Sequence, residues 1–169
     1  MTAIDRITAA MAEGTFEVIE PRDGMPCVAV AADGLRALME CLRNDCGFET
    51  NTFVTAIDRS AGALAIEPCY EVTYQFLSHA HGDRIRVRVR VPLTDPKVPT
   101  ITDLWPGTSF CERECYDMFG IVFEGHPDLR RLLMPEGYDH HPLRKDFPHR
   151  GIEPDRLYRE WERGRAATR

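Results

Sequence analysis

Two runs near the middle of the chain restrict its fold more than any other feature. Tyr70, Val72, Tyr74 and Phe76 alternate with Glu71, Thr73 and Gln75. After the turn-forming stretch Ser78-His79-Ala80-His81-Gly82-Asp83, alternation resumes with Ile85, Val87, Val89 and Val91. A period of two places alternate side chains on opposite faces of a strand, so these runs predict an antiparallel hairpin with one apolar face. Arg84, Arg86, Arg88 and Arg90 occupy the other face of the second strand. Such a ladder is either a solvated face paired with acids on neighbouring strands or a docking surface for an acidic partner. The sequence leaves both readings open.

The hairpin lies among helices. Thr2 caps a first helix with Asp5 three residues on, and Ile4, Ile7 and Met11 recur at helical spacing. Two short strands follow, Phe16 to Glu20 and Cys27 to Ala31, separated by Pro21-Arg22-Asp23-Gly24. Asp33 offers an N-cap to a second helix whose stripe is Leu35, Leu38, Met39, Leu42 and Cys46, with Gly47 as its stop. Further short strands are expected at Phe53 to Asp58 and Leu64 to Ile66. Pro92, Pro96, Pro99 and Pro106 end the sheet near Val91, and Thr108 to Phe119 reads as a third helix stopped by Gly120. Prolines at 127, 135, 142, 148 and 154 then predict a largely extended C-terminal region, apart from a short helix over Asp155 to Arg163. The elements therefore read as α+β, helices with a meander of strands over residues 1–125, followed by an extended segment over 126–169 that calls for a partner to wrap around.

At 169 residues the chain suits one compact domain plus a tail. Its net charge of -6 argues against a general nucleic-acid binder. No run approaches the roughly 18 apolar residues of a membrane helix. The N-terminus carries Asp5 and Glu13 and lacks the apolar core of a secretory signal, so the chain is expected in the cytoplasm, reaching a membrane only through a partner. The six cysteines are scattered without a CxxC pair, which predicts reduced thiols and no iron–sulfur cluster.

The chemistry-bearing residues concentrate between Phe110 and Pro148. On a helix, Cys111, Cys115 and Met118 share one stripe, while Glu114 and Asp117 lie one turn apart on another, with Arg113 four residues before Asp117. Two such acids repel unless cations neutralise them. Arg130 and Arg131, delivered after the turn Gly125-His126-Pro127-Asp128, are the candidates. The sequence thus suggests a helix clamped to its downstream segment by bidentate carboxylate–guanidinium pairs. Nearby arginines would keep Glu114 and Asp117 ionised, which disfavours an acid/base pair. His126 reads as a turn residue hydrogen-bonding the backbone rather than as a ligand. His140, His141 and His149 with Cys111 and Cys115 match no standard zinc spacing, although a stand-alone thiol or zinc enzyme built on them remains an alternative of another class.

Glu112-Arg113-Glu114, two residues, Asp117-Met118-Phe119, six residues, His126, three residues, Arg130, then Leu132-Leu133 resembles the signature of the 30-kDa family of NADH:quinone oxidoreductase (complex I) C subunits. Pro142-Leu143-Arg144-Lys145-Asp146-Phe147-Pro148 resembles that family's second hallmark, and Thr102-Asp103-Leu104-Trp105-Pro106 its approach to the helix. The resemblance implies an accessory subunit of the peripheral arm, on the cytoplasmic side of the inner membrane, which supports electron transfer from NADH to quinone. Its α+β domain would be a small mixed or antiparallel sheet with packed helices, and its C-terminal extension would wrap a hydrogenase-large-subunit-like D subunit near the iron–sulfur subunits. It further implies no catalytic, cofactor-binding or metal-binding residue in this chain, with NADH, FMN, iron–sulfur clusters and quinone held elsewhere. Glu112, Arg113, Glu114, Asp117, Gly120, His126, Asp128, Arg130 and Arg131 would form the signature clamp. Pro142, Leu143, Arg144, Lys145, Asp146, Phe147 and Pro148 would form the partner interface. The equivalent subunit of a membrane-bound nickel–iron hydrogenase or formate hydrogenlyase is the alternative within the same class.

Overall fold

The structure, a computed structural model, describes residues 2–60, 69–151 and 163. Helix α1 (Ala3–Ala10) starts in the expected capping box: Thr2 Oγ1 accepts from the Asp5 amide at 3.2 Å, and the Thr2 amide donates to Asp5 Oδ2 at 2.7 Å. Strands β1 (Glu17–Ile19) and β2 (Cys27–Val30) follow, then α2 (Leu35–Asn44). Asp33 does not cap α2. Gly34 occupies that position without a side-chain bond. Arg36, in the first turn, is instead tied to Asp103 at 2.5 Å and to Glu40 at 2.7 Å. Gly47 lies beyond the helix end at φ 70°, where the Phe48 amide returns to Leu42 O at 3.0 Å.

β3 (Thr50–Asp58), β4 (Cys69–Ser78) and β5 (Asp83–Pro92) complete a five-stranded sheet in the order β1-β2-β5-β4-β3. The predicted hairpin is present, with Tyr70 opposite Val91 and Ser78 opposite Asp83. Strand β2 runs parallel to β5, and every other pairing in this sheet is antiparallel. The sheet is therefore mixed, and the fold is α+β. The run Leu64 to Ile66 and most of Asp155 to Arg163 lie outside the described residues.

All three helices cover one face. Ile7 of α1, Leu35, Leu38, Met39 and Leu42 of α2, and Cys115 and Met118 of α3 (Thr108–Phe119) join Val28, Val54, Val72, Tyr74, Phe76, Val87 and Val89 in one core. Fully burying an aliphatic side chain of this kind stabilises the fold by about 1.5–3 kcal/mol. The main sheet ends at Pro92, one residue past the expected limit, but pairing resumes beyond it. β6 (Lys97–Pro99) and β7 (Val122–Glu124) form a separate parallel pair, with α3 as the crossover between them. β6 follows Pro96 and ends at Pro99, and β7 lies between Gly120 and Gly125, so both read as loop, which is why the sequence pattern missed them. Their pairing matters because it fixes both ends of α3.

Candidate functional site

The N-terminal half of α3 is anchored by Glu112. Its side chain is fully enclosed, with Oε2 accepting from Thr100 Oγ1 at 2.5 Å and Oε1 from the Ile101 amide at 2.9 Å. No cation pairs with it among the described residues. Burial raises its pKa to about 7, against the lowering effect of Thr100, Ile101 and Thr108. A carboxyl enclosed in this way ties the helix to the 100–102 loop and has no access to an external substrate. The sequence pattern placed Glu112 in the signature but could not reveal its burial, because neighbouring Arg113 and Glu114 make the run read as solvent-facing.

Asp117 anchors the other half. Oδ1 meets Arg131 Nη1 at 2.7 Å, while Oδ2 accepts from three successive amides, Leu132 at 3.0 Å, Leu133 at 2.7 Å and Met134 at 2.9 Å. The ion pair is thus end-on rather than bidentate, because the second oxygen is committed to backbone. Burial pushes the Asp117 carboxyl up, but these amides and Arg131 outweigh it and hold the pKa below the ordinary value. Arg130 turns to Asp128 at 2.9 Å and not to Glu114, which is exposed and makes no ion pair among the described residues. Arg113 holds the same loop by donating to Arg130 O and Arg131 O, both at 3.1 Å.

His126 links the turn to the helix start. Its Nδ1 accepts from the Asp128 amide at 3.0 Å, so in the neutral ring Nε2 carries the proton toward Ser109 O at 3.3 Å and Oγ at 3.1 Å. Cys111 and Cys115 lie on the face of α3 that packs against the sheet, and burial raises both thiols above their ordinary pKa. Among the described residues, no three His, Cys, Asp or Glu side chains gather as metal ligands.

The C-terminal segment closes over the end of α3. A helix leaves its last carbonyls without intrahelical donors. Here His141 Nδ1 reaches Asp117 O at 2.9 Å, the Leu143 amide reaches Met118 O at 3.1 Å, and Arg144 Nε reaches Phe119 O at 2.6 Å. The Arg144 guanidinium also lies 5.5 Å from the Tyr70 ring centroid, and the Lys145 amide donates to Asp58 Oδ2 at 2.8 Å. A cation at a helix C-terminus is favoured by the helix dipole. Arg144, expected from the sequence in the partner interface, is therefore turned onto its own chain. Residues 125–151 form turns, bends and irregular stretches without a helix or strand.

Gly120 makes this closure possible. Its φ of 75° is the left-handed cap conformation, and an added Cβ would land on the Arg144 guanidinium and 2.6 Å from His141 Nε2. Gly120→Ala should destabilise the chain by about 1–3 kcal/mol, from backbone strain plus displacement of the segment. Limited proteolysis would then cleave between residues 128 and 145 faster than in the wild type. Unchanged cleavage would show that the segment tolerates the methyl group.

Together the fold and site define a class: an α+β domain whose central helix is locked at both ends by its own following segment. The chain belongs to the family described as the respiratory-chain NADH dehydrogenase 30 Kd subunit, whose model matches residues 28–153. It is 55% identical over 85 residues to the C subunit of NADH-quinone oxidoreductase from Roseiflexus castenholzii, covering 50% of this chain and 49% of that one. It is 37% identical to the C subunit of the same enzyme from Citrifermentans bemidjiense, over 91% of each chain. The chain thus spans about half of the first relative and nine-tenths of the second in these matches. Among solved structures, the trypsin-resistant fragment (1-134) of Nqo5 superposes with a TM-score of 0.67 at 34% identity, covering 76% of this chain and all of the fragment. A chain of an archaeal membrane-bound sulfane sulfur reductase complex shares the fold, with a TM-score of 0.71 at 23% identity, covering 94% of this chain and 88% of that chain.

Proposed function

We propose that the chain is an accessory subunit in the quinone module of the peripheral arm of a proton-translocating NADH:quinone oxidoreductase. It docks on the hydrogenase-large-subunit-like D subunit, beside iron–sulfur subunits, and braces that subunit around the quinone site. It contributes no redox centre, metal or catalytic residue of its own. It lies on the cytoplasmic side of the inner membrane and is held there through the complex. No helix among the described residues is long and apolar enough to cross a membrane.

The observation that carries this reading is the family match over residues 28–153, which contains the whole of the clamp. The exposed apolar side chains support a docking role, since Phe110, Leu133 and Leu143 all lie on the clamp's own elements. With Phe110 and Leu133 each 62% exposed, the surface around α3 has the character of an interface left open.

Affinity-tagging the chain in its host, solubilising the membranes gently and identifying the co-purifying proteins tests the reading. The expected result is recovery with a hydrogenase-large-subunit-like protein, NADH- and flavin-binding subunits, and NADH:quinone activity. Recovery with a nickel–iron hydrogenase or formate dehydrogenase would replace NADH by another donor. Recovery as a lone soluble protein would end the subunit reading.

A further inference from the structure

The face of the main sheet turned away from the helices is the arginine face, and its charges are not balanced among the described residues. Across the strands, Thr55, Thr73, Arg88, Ala29 and Glu17 stand in register on it. Arg86 is matched by Asp23 at 2.7 Å. Arg59, Arg88 and Arg90 share a single carboxylate, Glu71, at 2.9, 3.7 and 3.8 Å. Glu71 is 1% exposed, so it is fully committed to this cluster. Arg84 is exposed and makes no ion pair among the described residues.

Arg59 Nε, Arg88 Nε and Thr73 Oγ1 are buried without a hydrogen-bond partner among the described residues, and all three belong to this face. A guanidinium N–H withdrawn from water without an acceptor is costly, and more so than a neutral donor. Arg88 also lines a groove of about 710 Å³, together with Phe16, Ile19, Ala29, Glu71 and Arg90. The side chain of Arg90 is 73% exposed and stands at its margin. Further along the same face, Phe53 and Ile57 are exposed.

From this we infer that the arginine face is a second docking surface, distinct from the clamp around α3, and that its occupant is an acidic, partly apolar polypeptide segment of a neighbouring protein. Carboxylates of that segment meet Arg88 and Arg90, while its apolar side chains lie against Phe16 and Ile19. The apolar lining favours a polypeptide over a small anion, which would leave those side chains uncovered. Arginine suits the role because its planar fork accepts a carboxylate side-on.

The test uses the purified full-length chain and a fluorescein-labelled peptide of alternating Glu and Leu, followed by fluorescence anisotropy. The wild type should bind the peptide, and binding should weaken as salt rises. Arg90→Glu should weaken it by roughly tenfold or more, and Arg90→Gln by less, with unchanged circular dichroism because Arg59 and Arg88 still hold Glu71. Equal binding by Arg90→Glu, equal binding of a Lys–Leu peptide, or displacement by millimolar inorganic phosphate would each overturn the proposal. The assembled complex supplies a second measurement that does not depend on those variants folding. A benzophenone side chain placed at position 53 should cross-link to an Asp/Glu-bearing segment of a neighbouring protein. A complex that co-purifies as proposed above, yet shows no protein cross-link from position 53, would overturn the docking surface while leaving the subunit reading intact.

Discussion

Asp117→Ala should destabilise the chain by about 3–5 kcal/mol, the range expected when one partner of a buried ion pair is removed. Arg131 would lose its carboxylate, and the Leu132, Leu133 and Met134 amides would lose their common acceptor. The segment after Gly125 would then have no fixed register on α3, so Arg113 and His141 would lose their carbonyl partners as well. Urea denaturation with fluorescence detection would read the loss as a lower midpoint. Asp117→Asn should fall between, because its amide group faces three N–H donors with one of its two ends. An unfolding free energy within about 1 kcal/mol of wild type for Asp117→Ala would mean that the clamp is not what holds the segment. The native pKa of Asp117 lies below its unfolded value of 3.8. Its contribution is therefore fully present above pH 3.8 and is lost as pH falls through the native pKa.

Glu112→Gln should act in the opposite direction. A carboxyl whose pKa rises from 4.5 to about 7 on folding binds its proton more tightly in the native state. Its contribution to stability therefore falls as pH climbs from 4.5 through 7. The shift corresponds to roughly 3 kcal/mol at pH 8. Glutamine presents an oxygen to the Ile101 amide and an amide N–H to Thr100 Oγ1, without the buried charge. The variant should be more stable than wild type at pH 8 by about 1–3 kcal/mol, and close to it at pH 4.5. Equilibrium unfolding at the two pH values measures the difference. A variant less stable at pH 8 would show that the folded protein holds Glu112 ionised in comfort.

These two carboxylates behave differently although they sit five residues apart on one helix, and the contrast comes from their donors. Asp117 faces a guanidinium and three amides converging from one loop. Glu112 faces only a hydroxyl-and-amide loop and no cation among the described residues. One segment thus carries a clamp that tightens with ionisation and an anchor that loosens with it. Both hold the surface around α3 in one shape.

Local patterns in the sequence were sufficient for the β4–β5 hairpin, the capping box at Thr2 and Asp5, and α3 with its stop at Gly120. Each depends on residues close in the chain, where side-chain periodicity and cap chemistry act directly. The clamp was legible in outline, since acids on a helix face followed by a turn and two arginines leave few arrangements. The family was legible because the order and spacing of residues 112–133 resemble its signature. Other features were decided only by tertiary structure. The parallel pairing of β2 with β5 and the small β6–β7 pair join segments distant in sequence, through backbone groups that carry no residue code. The choice of Arg131 over Arg130 for Asp117, the amide cradle around Oδ2, the burial of Glu112 and the inward turn of Arg144 depend on where three-dimensional packing places donors and removes water. A charged residue's number of partners is set by its neighbours in space, and a sequence orders neighbours only along the chain.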